Sequence, residues 1–215
     1  MATFFKIDCP FATVNLQIIL KQILIFEKNC FMKNRCAWCL TSDLYKEYHD
    51  NEWGMPIFDD ATLFEFLILE TFQAGLSWIT ILNKRVNFRV AFDAFDYKKI
   101  AQYDEVKQAE LLQNAGIIRN KLKVASAVTN AIAFIIIQEE FGSFNKYIWG
   151  FVDGKPIKNY PKELKDVPAT SLISDAISKD LKKRGFKFVG SIVMYAYMQA
   201  TGMVNDHVAD CWRHG

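Results

Sequence analysis

An all-α chain is predicted on three observations. Strand signals are almost absent, apolar residues recur at helical spacing, and Gly and Pro punctuate the segments between them. The 215 residues, 51% hydrophobic with 18 Phe, can bury a sizeable core in one large domain or two small ones.

The elements follow in chain order. Residues 1–31 stand apart: Val14 to Phe26 is apolar, but Asn15, Gln17, Lys21 and Gln22 interrupt it below the roughly 20 residues that span a bilayer. Nor does it show the order of an export signal, with basic residues first and a small-residue cleavage site last. It reads either as an extension without function or as an amphipathic helix packed on the core, and the functional domain is placed at 32–215. Asp59 and Asp60 offer an N-cap to a helix whose stripe is Leu63, Phe64, Leu67, Ile68 and Phe72, ending near Gly75. A second helix is expected from Ser77 to about Phe92. Shorter ones follow at Tyr97–Gln102 and Asp104–Asn114, the latter stopped by Gly116. Asn120 to Glu139 reads as a long, buried helix. Val152 to Pro168, with Gly154, Pro156, Pro161 and Pro168, is irregular. Ser174–Arg184 and Val189–Ala200 close the chain around a glycine-bounded turn, a hairpin spanning about 174–202.

Net charge is only +2, so nucleic-acid binding would need the basic residues gathered on one face. The five cysteines, Cys9, Cys30, Cys36, Cys39 and Cys211, are odd in number and irregular in spacing. That fits a reducing cytoplasm with some thiols held by metal better than a disulfide framework. Cys36 and His49 lie early, His207 and Cys211 at the end, and together they offer the thiolate–imidazole tetrahedron that zinc prefers. His207 and Cys211, four apart, would share one face of a helix. Cys39, which creates CAWC, and His214 are lesser competitors for the metal.

The segment LKKRGFKFVGSIVMYAYMQATG, Leu181–Gly202, has a basic helix end in Lys182, Lys183 and Arg184, a stop at Gly185, and a new helix near Gly190. Free N–H groups and the positive end of that helix suit a phosphate oxygen, with lysine charge nearby. Val189, Ile192, Val193, Ala196 and Ala200 follow helical spacing and read as core. The same pattern also fits an ordinary helical hairpin with a solvated basic end. Glu70 lies in LFEFLILETFQAGLSW, Leu63–Trp78, among apolar neighbours; it is read as pointing inward and Glu65 outward. An acid there, with Trp78 after it and Trp38, Tyr45, Tyr48 and Trp53 before it, would suit a flat cationic ring. A satisfied core glutamate among packing aromatics fits equally.

YHDNEWG (Tyr48–Gly54), LETFQAGLSW (Leu69–Trp78), NAGIIRNKLK (Asn114–Lys123), KRGFKFVG (Lys183–Gly190) and MQATGMVNDH (Met198–His207) resemble DNA-3-methyladenine glycosylase I, collinearly from about Arg35 to Cys211. The resemblance implies an all-helical helix-hairpin-helix glycosylase with one structural zinc joining its ends, held by Cys36, His49, His207 and Cys211. It implies Glu70 in the base pocket, Trp78 stacking on the base, and Tyr48, Trp38 and Tyr45 shaping the pocket. Gly185, Lys187 and Gly190 would hold the backbone of alkylated double-stranded DNA. The implied enzyme is a monofunctional, cytoplasmic monomer of base-excision repair that leaves an abasic site. Many relatives in the superfamily carry an aspartate after the hairpin. Here the stretch reads Val204-Asn205-Asp206-His207, so Asn205 takes that place; Asp206 is expected to orient His207 or cap a helix. A catalytic zinc would need an open coordination position and an H-x-E segment, and a simple DNA-binding module would have no use for the buried acid.

Overall fold

Asp59 begins the helix around which the rest is arranged. Its carboxylate accepts from Thr62 N–H at 2.8 Å, and ten consecutive residues of that helix, Leu63–Phe72, are buried. The computed structural model describes residues 33–215, so both readings of residues 1–31, together with Cys9 and Cys30, lie outside the described residues. Arg35–Gly215 fold as one unit. After a 3₁₀ turn at Ala37–Thr41, the helices are α1 (Asp43–Asn51), α2 (Asp60–Gln73), α3 (Trp78–Leu82), α4 (Arg85–Ala91) and α5 (Tyr97–Ile100). Then come α6 (Glu105–Gln113), α7 (Lys121–Phe141), α8 (Phe144–Trp149), α9 (Leu172–Lys183) and α10 (Ser191–Ala200). The all-α expectation holds, apart from one two-residue parallel pairing of β1 (Ile157–Lys158) with β2 (Val204–Asn205). The central helix, α2, packs against α3, α7, α8 and α10.

Several expectations need correction. The single helix from Ser77 to Phe92 is two, because Lys84 N–H bonds Ile81 C=O in a tightened turn before α4 starts. The helix α7 is buried on one side only: Leu122, Ile132 and Ile136 are exposed. Two helices went unpredicted. Only Tyr48 and His49 of α1 are buried, too few for an apolar stripe. The six-residue α8 has a local cap in Ser143, which accepts from Lys146 N–H, and a distant one: Asp60, expected to cap its own helix, accepts from Phe144 and Asn145 N–H. The close of the chain depends on Gly202 at φ +70°, where a Cβ would lie 2.2 Å from the Met55 carbonyl carbon.

Candidate functional site

Cys36, at the 3₁₀ turn, His49, in the last turn of α1, and His207 and Cys211, beyond β2, meet in one buried cluster. Their donor atoms all lie within 4.8 Å of one another. Sulfur–nitrogen edges are 3.6 Å (Cys36 to His207 Nδ1), 3.5 Å (Cys211 to His207 Nδ1) and 3.4 Å (Cys211 to His49 Nε2). The two ring nitrogens are 3.2 Å apart. A tetrahedral ion about 2.3 Å from sulfur and about 2.0–2.1 Å from nitrogen sets such edges at about 3.5 and 3.3 Å, so the cluster has the dimensions of a metal site. The outward ring nitrogens fix the tautomers: His49 Nδ1–H donates to Asp50 at 2.9 Å and His207 Nε2–H to the Trp53 carbonyl at 3.1 Å. Both inward nitrogens are thereby left as acceptors. Burial and the facing His49 push His207 down to about 4, and burial pushes the Cys36 thiol up to about 12. A thiolate here therefore needs a cation beside it. Burial would raise Asp50, but the Arg35 fork and His49 hold it well below the usual carboxylate range.

His207 and Cys211 are not on a helix. A turn closed by Cys211 N–H to Val208 C=O at 2.8 Å brings them together. The competitors named in the sequence go elsewhere. The Cys39 thiol donates to Cys36 C=O at 3.1 Å, and the His214 ring meets Asn159 C=O at 2.9 Å.

A second group lies where α1, α2 and α3 converge. Glu70, in the last turns of α2, is 3% exposed and has no hydrogen-bond or ion-pair partner among the described residues. Burial alone raises its carboxyl to about 8. The Trp78 indole Nε1 is likewise buried without a partner among the described residues. Two unpaired polar groups in one apolar setting are a costly arrangement that native cores avoid. Tyr48 stands 5.4 Å from Trp78, ring to ring, and Trp38 lies 6.4 Å from Tyr48 and 5.3 Å from Tyr45. Burial and the Glu70 charge raise Tyr48 well above an ordinary phenol. The Tyr45 hydroxyl is committed, accepting from Ile79 N–H at 2.9 Å in the first turn of α3, so Tyr45 positions Trp78. Trp53 bridges the two groups, 5.1 Å from Trp38 and 4.6 Å from His207.

Sequence reasoning missed Phe66, whose ring lies nearly parallel to Trp78 at 6.5 Å. Its spacing of four from Glu70 on one helix was the available signal. Glu65 was also misplaced: it accepts from Arg85 at 2.6 Å and Arg89 at 2.8 Å, while Arg85 reaches Glu52 at 2.5 Å and covers the Phe66 ring. An inward carboxylate paired with two guanidiniums looks outward-facing in a periodicity argument.

The hairpin joins α9 to α10. Gly185 takes φ +96°, a conformation that favours glycine, and Phe188 takes φ +57°. Gly190 precedes α10 without a side-chain cap and with open space where its Cβ would be. The first bond of α10 runs from Met194 N–H to Gly190 C=O, so the N–H groups of Ser191, Ile192 and Val193 have no partner within the helix. Lys182, Lys183 and Lys187 are exposed. Asn130, wholly buried in α7, clamps the Lys187 backbone by bonds of 2.8 and 3.1 Å, a role that its sequence position did not disclose. Arg184 differs from the expectation: it is spent on Asp180 at 2.7 Å and Glu140 at 2.6 Å, above the Phe141 and Tyr147 rings. Ile192, expected in the core, is 65% exposed.

Asp206 neither orients His207 nor caps a helix. Its buried carboxylate accepts from Tyr195 OH, Gln199 Nε2 and Asn159 Nδ2, at 2.7–2.8 Å. Asn205 instead holds His207, accepting its backbone N–H at 3.1 Å.

A family model described as methyladenine glycosylase matches residues 38–214. A DNA-3-methyladenine glycosylase of Haemophilus influenzae is 46% identical over 180 residues, 84% of this chain and 97% of that protein. A crystal structure of 3-methyladenine DNA glycosylase I superposes with TM-score 0.83 at 47% identity, covering 85% of this chain and all of that one. A tyrosine-to-phenylalanine variant of such an enzyme, crystallised in complex with 3-methyladenine, gives TM-score 0.82 at 34% identity, over 85% of this chain and 98% of that one.

Proposed function

The chain belongs to the methyladenine glycosylase family, and from that premise we propose how its residues divide the work of a DNA-3-methyladenine glycosylase. The reaction is hydrolysis of the N-glycosidic bond of 3-methyladenine in alkylated DNA, the first step of base-excision repair. The observation that carries the site reading is Glu70, a buried carboxyl without a partner among the described residues, whose charge acts on Tyr48 of the ring cluster.

Methylation at N3 gives adenine a positive charge and weakens its bond to the sugar, so departure needs little acid help. Extruding the nucleotide from the duplex costs a few kcal/mol. The pocket recovers that for a cationic base: Trp78 adds about 0.5–2 kcal/mol of cation–π attraction, and Glu70 offers the negative charge that burial otherwise suppresses. A neutral adenine would leave Glu70 protonated and unrewarded, which is the basis of selection. As the bond breaks, charge passes from base to sugar, so grip on the cation alone would not speed the step. Glu70 therefore acts by accepting from the base edge and aligning it. The DNA phosphates and water face the oxocarbenium-like sugar, since Asp206 is committed to three donors. Among the described residues no lysine stands out as a nucleophile for strand cleavage, so the product is an abasic site on this reading.

The hairpin with Gly185, Lys187 and Gly190 would bind the backbone of double-stranded DNA through N–H groups at the start of α10 and lysine charge. The metal is zinc on this reading, because a closed set of two thiolates and two imidazoles suits it, and its contribution is to fold stability. The enzyme would act as a monomer in a reducing cytoplasm, which fits the free thiols of Cys36, Cys39 and Cys211. The catalytic unit is placed at 32–215, with residues 1–31 as an extension outside the chemistry.

The test is incubation of the full chain with methylated DNA, following released base by chromatography. Release of 3-methyladenine by the parent protein, lost in Glu70→Gln, is the expected result. Full excision by Glu70→Gln would remove Glu70 from the mechanism.

A further inference from the structure

One arginine and one lysine are buried among the described residues, Arg85 and Lys123. Arg85 has two carboxylate partners, whereas Lys123 hydrogen-bonds to carbonyls and has no carboxylate partner among the described residues. Its Nζ donates to Phe72 C=O at 2.8 Å and to Ala74 C=O at 2.7 Å, and burial lowers its pKa. A cation in so dry a place opposes its own desolvation, so its position requires a compensating partner. The partner is the C-terminal end of α2. The last carbonyls there lack intrahelical donors and carry the negative end of the helix dipole. Ala74 leaves the helix at ψ 116° and Gly75 turns at φ +81°, so Lys123 stands where a local cap would otherwise close the helix.

What hangs on this joint is the pocket. Glu70 lies four residues before Ala74, and Trp78 lies four residues after it. The direction in which the chain leaves α2 therefore sets where Trp78 lies relative to Glu70, with Tyr48 between them in reach of both. The same ammonium lies 6.0 Å over the ring of Phe188 in the hairpin loop. Asn130, two turns further along α7, clamps the backbone of the neighbouring Lys187. The first turns of α7 thus touch both the joint behind the pocket and the loop expected to hold phosphate.

We propose that Lys123 is a positioning residue for base excision, one that fixes the α2–α3 joint so that Trp78 faces Glu70 while the hairpin holds the backbone. The proposal rests on the pocket reading given above. Lys123 touches no reacting atom; it acts through the two carbonyls.

The experiment compares Lys123→Met and Lys123→Arg with the parent full-length chain in three measurements. These are single-turnover release of 3-methyladenine, affinity for free 3-methyladenine by tryptophan fluorescence, and affinity for duplex DNA containing an abasic-site analogue. A misplacement of about 1 Å can reduce rate on the order of a hundredfold. On that scale, Lys123→Met should lose about tenfold or more in release and in base affinity. Its affinity for abasic-analogue DNA should stay within about threefold, and Lys123→Arg, which keeps charge and donors, should recover most of the release. Release within about twofold of the parent in Lys123→Met would overturn the proposal, as would a loss shared equally by DNA affinity and unrelieved by arginine. Should Lys123→Met fail to fold, Lys123→Gln is judged by the same criteria. A parent protein that neither binds nor releases 3-methyladenine would sink the pocket reading itself, whatever the Lys123 variants do.

Discussion

Glu70 should make the protein less stable than it could be, and by an amount that depends on pH. Its carboxyl is raised from an ordinary 4.5 to about 8 by burial. Below pH 4.5 it is protonated in both folded and unfolded chains and contributes no difference. Between pH 4.5 and 8 the unfolded chain ionises it while the folded chain keeps the proton. Folding then takes up a proton, and stability falls as pH rises, by up to about 1.4 kcal/mol per pH unit. Above pH 8 the penalty is complete and constant. Glu70→Gln removes the titration and keeps the shape. Urea unfolding of both proteins at pH 5.5 and 7.5 should therefore show the stability of Glu70→Gln, relative to the parent, growing with pH. Two pH units set an upper bound of about 2.7 kcal/mol, and relaxation around the ionised group reduces the expected growth to about 1–2 kcal/mol. His49, His207 and the other titrating groups are common to both proteins and cancel. A difference that did not change with pH would mean that Glu70 is not held in a dry pocket, and the selection of a cationic base by this residue would fail with it.

Other outcomes follow from the remaining geometry. Cys211→Ala should lose bound zinc, read by elemental analysis, and at least about 3 kcal/mol of stability, while the fraction that stays folded still releases base; a folded but inactive variant would give the metal a part in the chemistry. Trp78→Leu should weaken 3,9-dimethyladeninium, which keeps the charge that the base carries while N9 is bonded to the sugar, by about 0.5–2 kcal/mol more than it weakens neutral adenine, measured by calorimetry, and equal losses would remove the cation–π argument. Lys187→Ala should lower the salt dependence of DNA affinity by about one ion. Arg184→Ala should change it less, because Arg184 is already paired with Asp180 and Glu140; the reverse order would contradict the assignment of the hairpin lysine.

Much of the fold was legible because its signals are local. Asp59, Asp104 and Asn120, where helices are expected to begin, cap the helices that follow them, as their chemistry dictates. The errors came where a side chain answers to a distant partner. Asp60 serves α8 across 84 residues of chain, Glu65 faces inward because Arg85 and Arg89 meet it, and Arg184 finds two carboxylates before any phosphate. Periodicity assigns a charged residue to water, and it has no means of seeing its counter-ion.

The sequence by itself determined the helical class, the four metal-binding residue types and the acid set among aromatics, since these depend on composition and spacing. The tertiary structure decided which groups are left wanting. Four donors meet within 4.8 Å across most of the chain, Glu70 and the Trp78 indole have no partner among the described residues, and Asp206 is taken by three. Whether a polar group is satisfied is a property of what folds against it, and no spacing in the sequence discloses it.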